Sequence, residues 1–340
     1  MGQGLHDPVT ALLANGSDLI AATVRSSSSP DSSFLSPEAG VWRWNGRGWV
    51  EMTSRISGEI YCMAWYQGVL VVGGEIAFGP DRRFRCIAQW DGLAWQPLGE
   101  PLESAVGEGY PVSVVSVVQW NQTLAFAGSF GRLGNVATWD GQLVRFLRCD
   151  LVPVLAVWRG ALLAGGWPSS DVLCIDGGRL LTWEEGRWTD FAGGIQVPPE
   201  GCPPYVHVSG LLVANDEVIV TGWFSRVGGV MVQNVVRYRN GSWEPMGVLD
   251  HGAFALLGFN GHLLAADPGS HSPAVRCWDG AQWTPIGPDL DGPVRCLAAH
   301  GDGVVAAGEF TGHVAWFPLS GLADAPNQRM HLPARFAVRR

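Results

Sequence analysis

Lysine is missing altogether: all 22 basic residues of the 340 are arginine. Its absence excludes Schiff-base catalysis, a lysine general base and the phosphate-binding lysine of a P-loop. Charge as a whole is sparse, at 16% of residues, and the balance is −9. A nucleic-acid site needs clustered positive charge first, so nucleic acid is not an expected partner. No run of 18 apolar residues occurs, and no membrane-spanning helix or membrane partner is expected. Met1 to Pro8 carries neither the basic start nor the apolar run of a secretory signal, which points to the cytoplasm unless a signal has been removed. Cys-x-x-Cys, His-x-x-x-His and Gly-x-Ser-x-Gly spacings are also missing, so neither a metal nor a cofactor is expected. The seven cysteines are odd in number, and Cys62 and Cys296 sit at matching places in two repeats, as small buried hydrophobes do. Cys149 and Cys202 could pair.

What is abundant is apolar residues, 47%, together with 46 glycines and 17 tryptophans. Such a chain buries a large core, and its arginine-only usage fits the coding bias of a high-GC bacterial source. An aromatic, four turn residues and a second bulky residue recur six times, beginning at Trp44, Trp90, Trp139, Trp183, Tyr238 and Trp278. The intervals are 46, 49, 44, 55 and 40 residues, the period of a propeller blade and not of a helical repeat. Asp-Gly or Asn-Gly between apolar runs supplies the positive φ of a tight hairpin, so each motif is the turn between the two outer strands of a blade. Upstream, two apolar strands flank a short polar turn, the second ending in small residues, as in Val69 to Gly74 and Val304 to Gly308. The fold class is all-β: one propeller over residues 1–321 with seven four-stranded blades, six as the alternative, and a tail at 322–340. A seventh copy spans Val294 to Leu319, with Trp316 in the first aromatic place and no fourth strand visible.

The double glycines Gly73-Gly74 and Gly165-Gly166, each followed by two spaced aromatics, resemble the Kelch repeat and the related propeller of galactose oxidase. The likeness implies a propeller used for binding or scaffolding. No counterpart of that oxidase's copper ligands is visible, so its activity is not implied.

Positions that repeat serve architecture. Eleven tryptophans occupy the signature places, and Trp65, Trp120 and Trp158 end the first strands of blades 2, 3 and 4, which reads as packing between blades. One position varies while its flanks repeat: after the small residue closing the second strand come Thr23, Glu75, Ser129, Trp167, Trp223, Asp267 and Glu309. In a propeller this position surrounds the mouth of the central channel. Indole rings there supply a flat apolar platform and carboxylates accept hydroxyl hydrogen bonds, which suits a small polar or carbohydrate-like ligand; a protein partner is the second ligand class. Arg82, beside Arg83 and Arg85 in a long loop on the same face, is a candidate clamp for a carboxylate or phosphate. The competing class is an enzyme (lyase, hydrolase or isomerase), with Tyr205, His207 and Arg226 as candidates for proton transfer.

Overall fold

The structure, a computed structural model, describes residues 4–25, 37–52, 56–77, 86–99, 112–168, 180–196, 206–249, 252–266 and 274–319. Arg82, Tyr205, Asp267, Cys202 and the tail at 322–340 lie outside these residues. Apolar runs broken every few residues by Gly, Asn or Asp fold as up-and-down antiparallel strands in consecutive units. Among the described residues the units span 9–51, 56–97, 113–146, 151–190, 207–245, 255–286 and 294–318, here units I to VII. Six have four strands and unit VII has three. The third strand of unit I begins at Glu38, and Glu38 and Ala39 pair with Ser57 and Ile56, joining units I and II into one sheet.

The core lies between units, not within them. Seven apolar clusters each join neighbours: Val114 and Phe126 of unit III meet Val71 and Ile87 of unit II, and Val9 and Leu19 of unit I meet Val305 and Ala307 of unit VII. A sheet with two apolar faces has to be covered on both, and stacking side by side does this.

The outer turns separate into two kinds. In unit IV, Glu185 and Gly186 both take positive φ, 50° and 80°, as do Asn240 and Gly241 in unit V at 52° and 82°, the geometry of a type I′ hairpin. The other four differ from the sequence-based expectation: only the glycine is left-handed, from 91° at Gly46 to 105° at Gly92. Their Asp or Asn serves through its side chain. Asp140 Oδ1 accepts from the backbone N–H of Gln142 and Leu143 at 3.0 and 2.9 Å, and Asn45, Asp91 and Asp279 repeat the pattern. These bonds hold the carboxyls of Asp91, Asp140 and Asp279 below the usual range. Each aromatic pair then packs edge-on or tilted across the turn, Trp183 against Trp188 at 5.1 Å and Tyr238 against Trp243 at 4.9 Å between centroids.

Neighbouring units are latched by ring donors. Trp188, Trp243 and Trp283 each donate their indole N–H to a carbonyl just past the last strand of the preceding unit: Leu147 at 2.8 Å, Ala192 at 2.8 Å and Met246 at 2.7 Å. At the ends of first strands, Trp120 donates to Gly160 O at 2.8 Å and Trp158 to Asp216 O at 2.9 Å. Strand register corrects the place of Trp65. Trp120 pairs with Thr123 and Trp158 with Ala161, but in unit II it is Tyr66 that pairs with Val69. Tyr66 accordingly makes the latch, its hydroxyl donating to Gln122 O at 2.8 Å, while Trp65 faces the opposite neighbour, unit I.

Candidate functional site

On the face where second strands end, which we call the mouth face, five of the first strands carry a β-bulge at the same level. The extra residues are Thr10, Tyr61, Val115, Ser209 and Arg295, each opposite the small residues closing the second strand. The bulge explains the glycine there. A Cβ on Gly74, Gly128 or Gly222 would lie 2.0, 1.7 or 2.0 Å from the carbonyl oxygen of Glu59, Ser113 or His207. Bulges re-aim side chains and end regular pairing. Here they turn Thr10 onto Ile60 O at 2.6 Å and Ser209 onto Ala253 O at 2.8 Å, and they present Tyr61 and Arg295 beside the candidate positions.

Register then assigns each candidate a partner. Glu75 stands opposite Glu59, Ser129 opposite Ser113, Trp167 opposite Val152 and Trp223 opposite His207. In unit VII the backbone N–H of Glu309 donates to Pro293 O at 3.0 Å. Thr23 does not belong to the series. It pairs with Val9 at the level of Gly74, is buried, and accepts the indole N–H of Trp42 at 3.0 Å; counted from the turn, Asp18 to Val24 matches Val69 to Glu75, so Val24 is the counterpart of Glu75.

The structure brings Glu75 and Glu309 together through residues that sequence reasoning missed. Burial pushes the Glu59 carboxyl above its ordinary value; Arg295 pulls it down, while Glu309 and Glu75 push it further up. Tyr61 is pushed up by burial and then by Glu59 and Glu75. Two glutamates directly opposite each other on paired strands repel, so this arrangement works against stability. Arg295 forks onto Glu309 with Nε and Nη2 at 2.9 and 2.6 Å, and its guanidinium carbon sits 5.7 Å from the ring centroid of Phe254. Phe254 and Trp223 are 45% and 42% exposed on this face. The mouth face therefore offers hydrogen-bond acceptors in Glu59, Glu75 and Glu309, one cation, and open aromatic surface.

Burial pushes the thiols of Cys62 and Cys296 up to about 12, which disfavours their thiolate forms. Among the described residues no set of three or more His, Cys, Asp or Glu is placed to hold a metal ion. Arg226 lies elsewhere on the face, in a short hairpin whose Gly228 N–H donates to Gly194 O at 2.9 Å and whose Gly228 backs onto the Trp243 ring near the outer strand. His207 is at the inner strand. Inner-strand residues such as Glu59 and Arg295 show no shared pattern between repeats, and counting back from Glu75 through the Gln67-Gly68 turn lands on Ile60, because the bulge at Tyr61 moves the true partner to Glu59.

No protein-family profile and no curated protein matches the chain. Solved structures do match in shape. The WD40 β-propeller domain of Doa1 superposes with a TM-score of 0.56 at 14% identity, covering 94% of this chain and 95% of that one. A chain of a mitotic checkpoint complex gives 0.53 at 11%, covering 89% and 86%. PorZ, a bacterial surface component of the type-IX secretion system of Porphyromonas gingivalis, gives 0.56 at 10%, covering 92% of this chain and 46% of that one. At these identities the shared property is the fold, a β-propeller.

Proposed function

We propose that the seven units are seven Kelch-like blades of one ring, closed where unit VII packs on unit I, and that the ring is a non-catalytic binding module with its ligand at the mouth. The reading rests on one observation: Glu59 and Glu75 face each other across paired strands, with Glu309 near enough to push Glu59 further up. Like charges gathered against stability are kept for a ligand. A hydroxyl-rich, carbohydrate-like molecule answers the chemistry, its hydroxyls donating to the carboxylates and a ring face resting on Trp223 or Phe254. A protein partner is the alternative ligand; propeller chains in assemblies such as the checkpoint complex support that use of the fold.

Thermal melting against sugars, uronic acids and polyols tests the reading. A ligand at about 100 times its Kd raises stability by ~2.7 kcal/mol. The expected result is a shift in the parent protein that is lost in a folded Glu75→Gln, Glu309→Gln double variant. No shift with any compound sinks the small-ligand reading and leaves the protein partner. The raised carboxyl of Glu59 favours one second reading, an enzyme with Glu59 as general acid. Under it, Glu59→Gln abolishes turnover of the bound compound while binding survives.

A further inference from the structure

The opposite face, where the tight turns lie, carries a separate cavity. It occupies the seam between units I and II as two neighbouring compartments of about 760 and 420 Å³, which share Arg43, Met52, Trp90 and Gly92 in their walls. It coincides with a short side chain at the end of a first strand, a place where unit V also has a small residue, Ala214. By register Asn15, paired with Asp18, stands where units II, III and IV have Tyr66, Trp120 and Trp158, so no ring crosses from unit I to the Gln67-Gly68 turn. Gly68 and Val69 of that turn line the smaller compartment. Both volumes fall in the range of small-molecule sites.

The polar atoms of the wall are unequally satisfied. The acceptors are engaged: Asp91 takes the N–H groups of Leu93 and Ala94 and the amide of Gln96, Asn45 takes those of Arg47 and Gly48, and Asp18 takes Nε and Nη2 of Arg43. The indole N–H of Trp65, in the smaller compartment, is buried without an acceptor, and Nδ1 of His300, in the larger one, is also buried and unpartnered. A buried N–H without an acceptor is costly; those of Trp49, Trp95, Trp139 and Trp278 share that state, and of the five only Trp65 lines one of these compartments. Around them the wall is aromatic and soft, with Trp44, Trp90 and Met52, groups that favour a flat ring.

From this imbalance we infer that the seam binds a planar aromatic carboxylate. Its carboxylate accepts from Trp65 Nε1 and from the remaining Nη1 of Arg43, and its ring lies among Trp44, Met52 and Trp90. A carboxylate is chosen over a neutral acceptor because Arg43 borders both compartments and a charge-assisted hydrogen bond from its Nη1 is stronger than a neutral one.

The test uses 4-fluorophenylacetate as probe and neutral 4-fluorobenzyl alcohol as control, followed by fluorine NMR line broadening with the full chain. The acid is expected to bind saturably and at least about tenfold more tightly than the alcohol. Arg43→Gln and Trp65→Phe are each expected to weaken it by about tenfold, the latter keeping the ring and removing only the N–H. Glu75→Gln, on the other face, is expected to leave it unchanged, so failure here and failure of the mouth reading remain distinct. Melting curves establish that each variant is folded, and Arg43→Gln alone suffices if Trp65→Phe is not. No saturable broadening up to about 10 mM acid overturns the inference. So does equal affinity for the alcohol, an Arg43→Gln variant that binds as the parent does, or binding lost in Glu75→Gln.

Discussion

The seam between units III and IV and the seam between units I and II are made of the same strands, yet one is solid and the other hollow. In the first, Trp120 reaches across and donates to Gly160 O. In the second, Asn15 is too short to cross, Trp65 turns in from the far side with its N–H unpartnered, and space remains. The apolar faces at both seams are covered, so packing alone does not distinguish them. The residue that ends the first strand does, Trp120 at one seam and Asn15 at the other. A repeat protein can keep its architecture while one junction is opened for another purpose, because each junction depends only on its two neighbours.

Four experiments break or sharpen that contrast. The largest effect is expected from the same substitution made at a mouth-face bulge and in the turn bordering the hollow seam. Gly128→Ala in unit III places a Cβ 1.7 Å from Ser113 O and should lower stability by about 3 kcal/mol, because backbone has to move. Gly68→Ala in the turn bordering the hollow seam meets nothing within 4 Å, and only its φ of 83° is penalised, by about 1 kcal/mol. Denaturant titration with unchanged m-values reads both, and equal losses would remove the bulge as the cause. Next, Trp120→Phe should cost about 1 kcal/mol through its lost hydrogen bond, whereas Trp65→Phe should be nearly neutral. If Trp65→Phe proves the costlier, its N–H has a partner and the seam is not as described.

Filling the hollow is the third experiment. Asn15→Trp copies the unit III latch into unit I and should raise stability by roughly 0.5 to 1 kcal/mol; a lower melting temperature would mean that the space cannot take a ring. The smallest effect concerns the turns. The carboxyls of Asp91, Asp140 and Asp279 are held low by backbone N–H groups. Their folded values lie below the unfolded one, so the stabilisation is complete above about pH 4 and is lost as the pH falls through the folded value. Asn45 does not titrate. Amide protection of Gln142 and Leu143 should therefore fall on acidification while that of Arg47 and Gly48 holds, and a parallel fall at all four would remove the carboxylates as the cause.

The propeller class was legible because its signals are local. A turn needs Gly at positive φ and a side-chain acceptor two residues before its N–H groups, and both are written within six residues of sequence, as in Trp139 to Val144. The likeness to Doa1's propeller at 14% identity shows how little else the fold requires. What was illegible depends on register. A bulge shifts the count on the first strand by one without any residue announcing it: Thr10 and Tyr61 carry no common sign, so a count back from Glu75 reaches Ile60 and not its partner Glu59. Glu59, Arg295 and Phe254 were hidden for a related reason. They join the mouth only once strands far apart in sequence are set side by side, and no local pattern encodes that neighbourhood.

The backbone pairing of Glu38 and Ala39 with Ser57 and Ile56 gives the hollow seam a mechanical character. Units I and II are stitched through backbone at the mouth end, while towards the turns they meet through apolar side chains. The stitch holds Ser57, and with it Glu59 two residues on, in fixed register against unit I, so the carboxylate pair of the mouth stands on a sheet shared by two units.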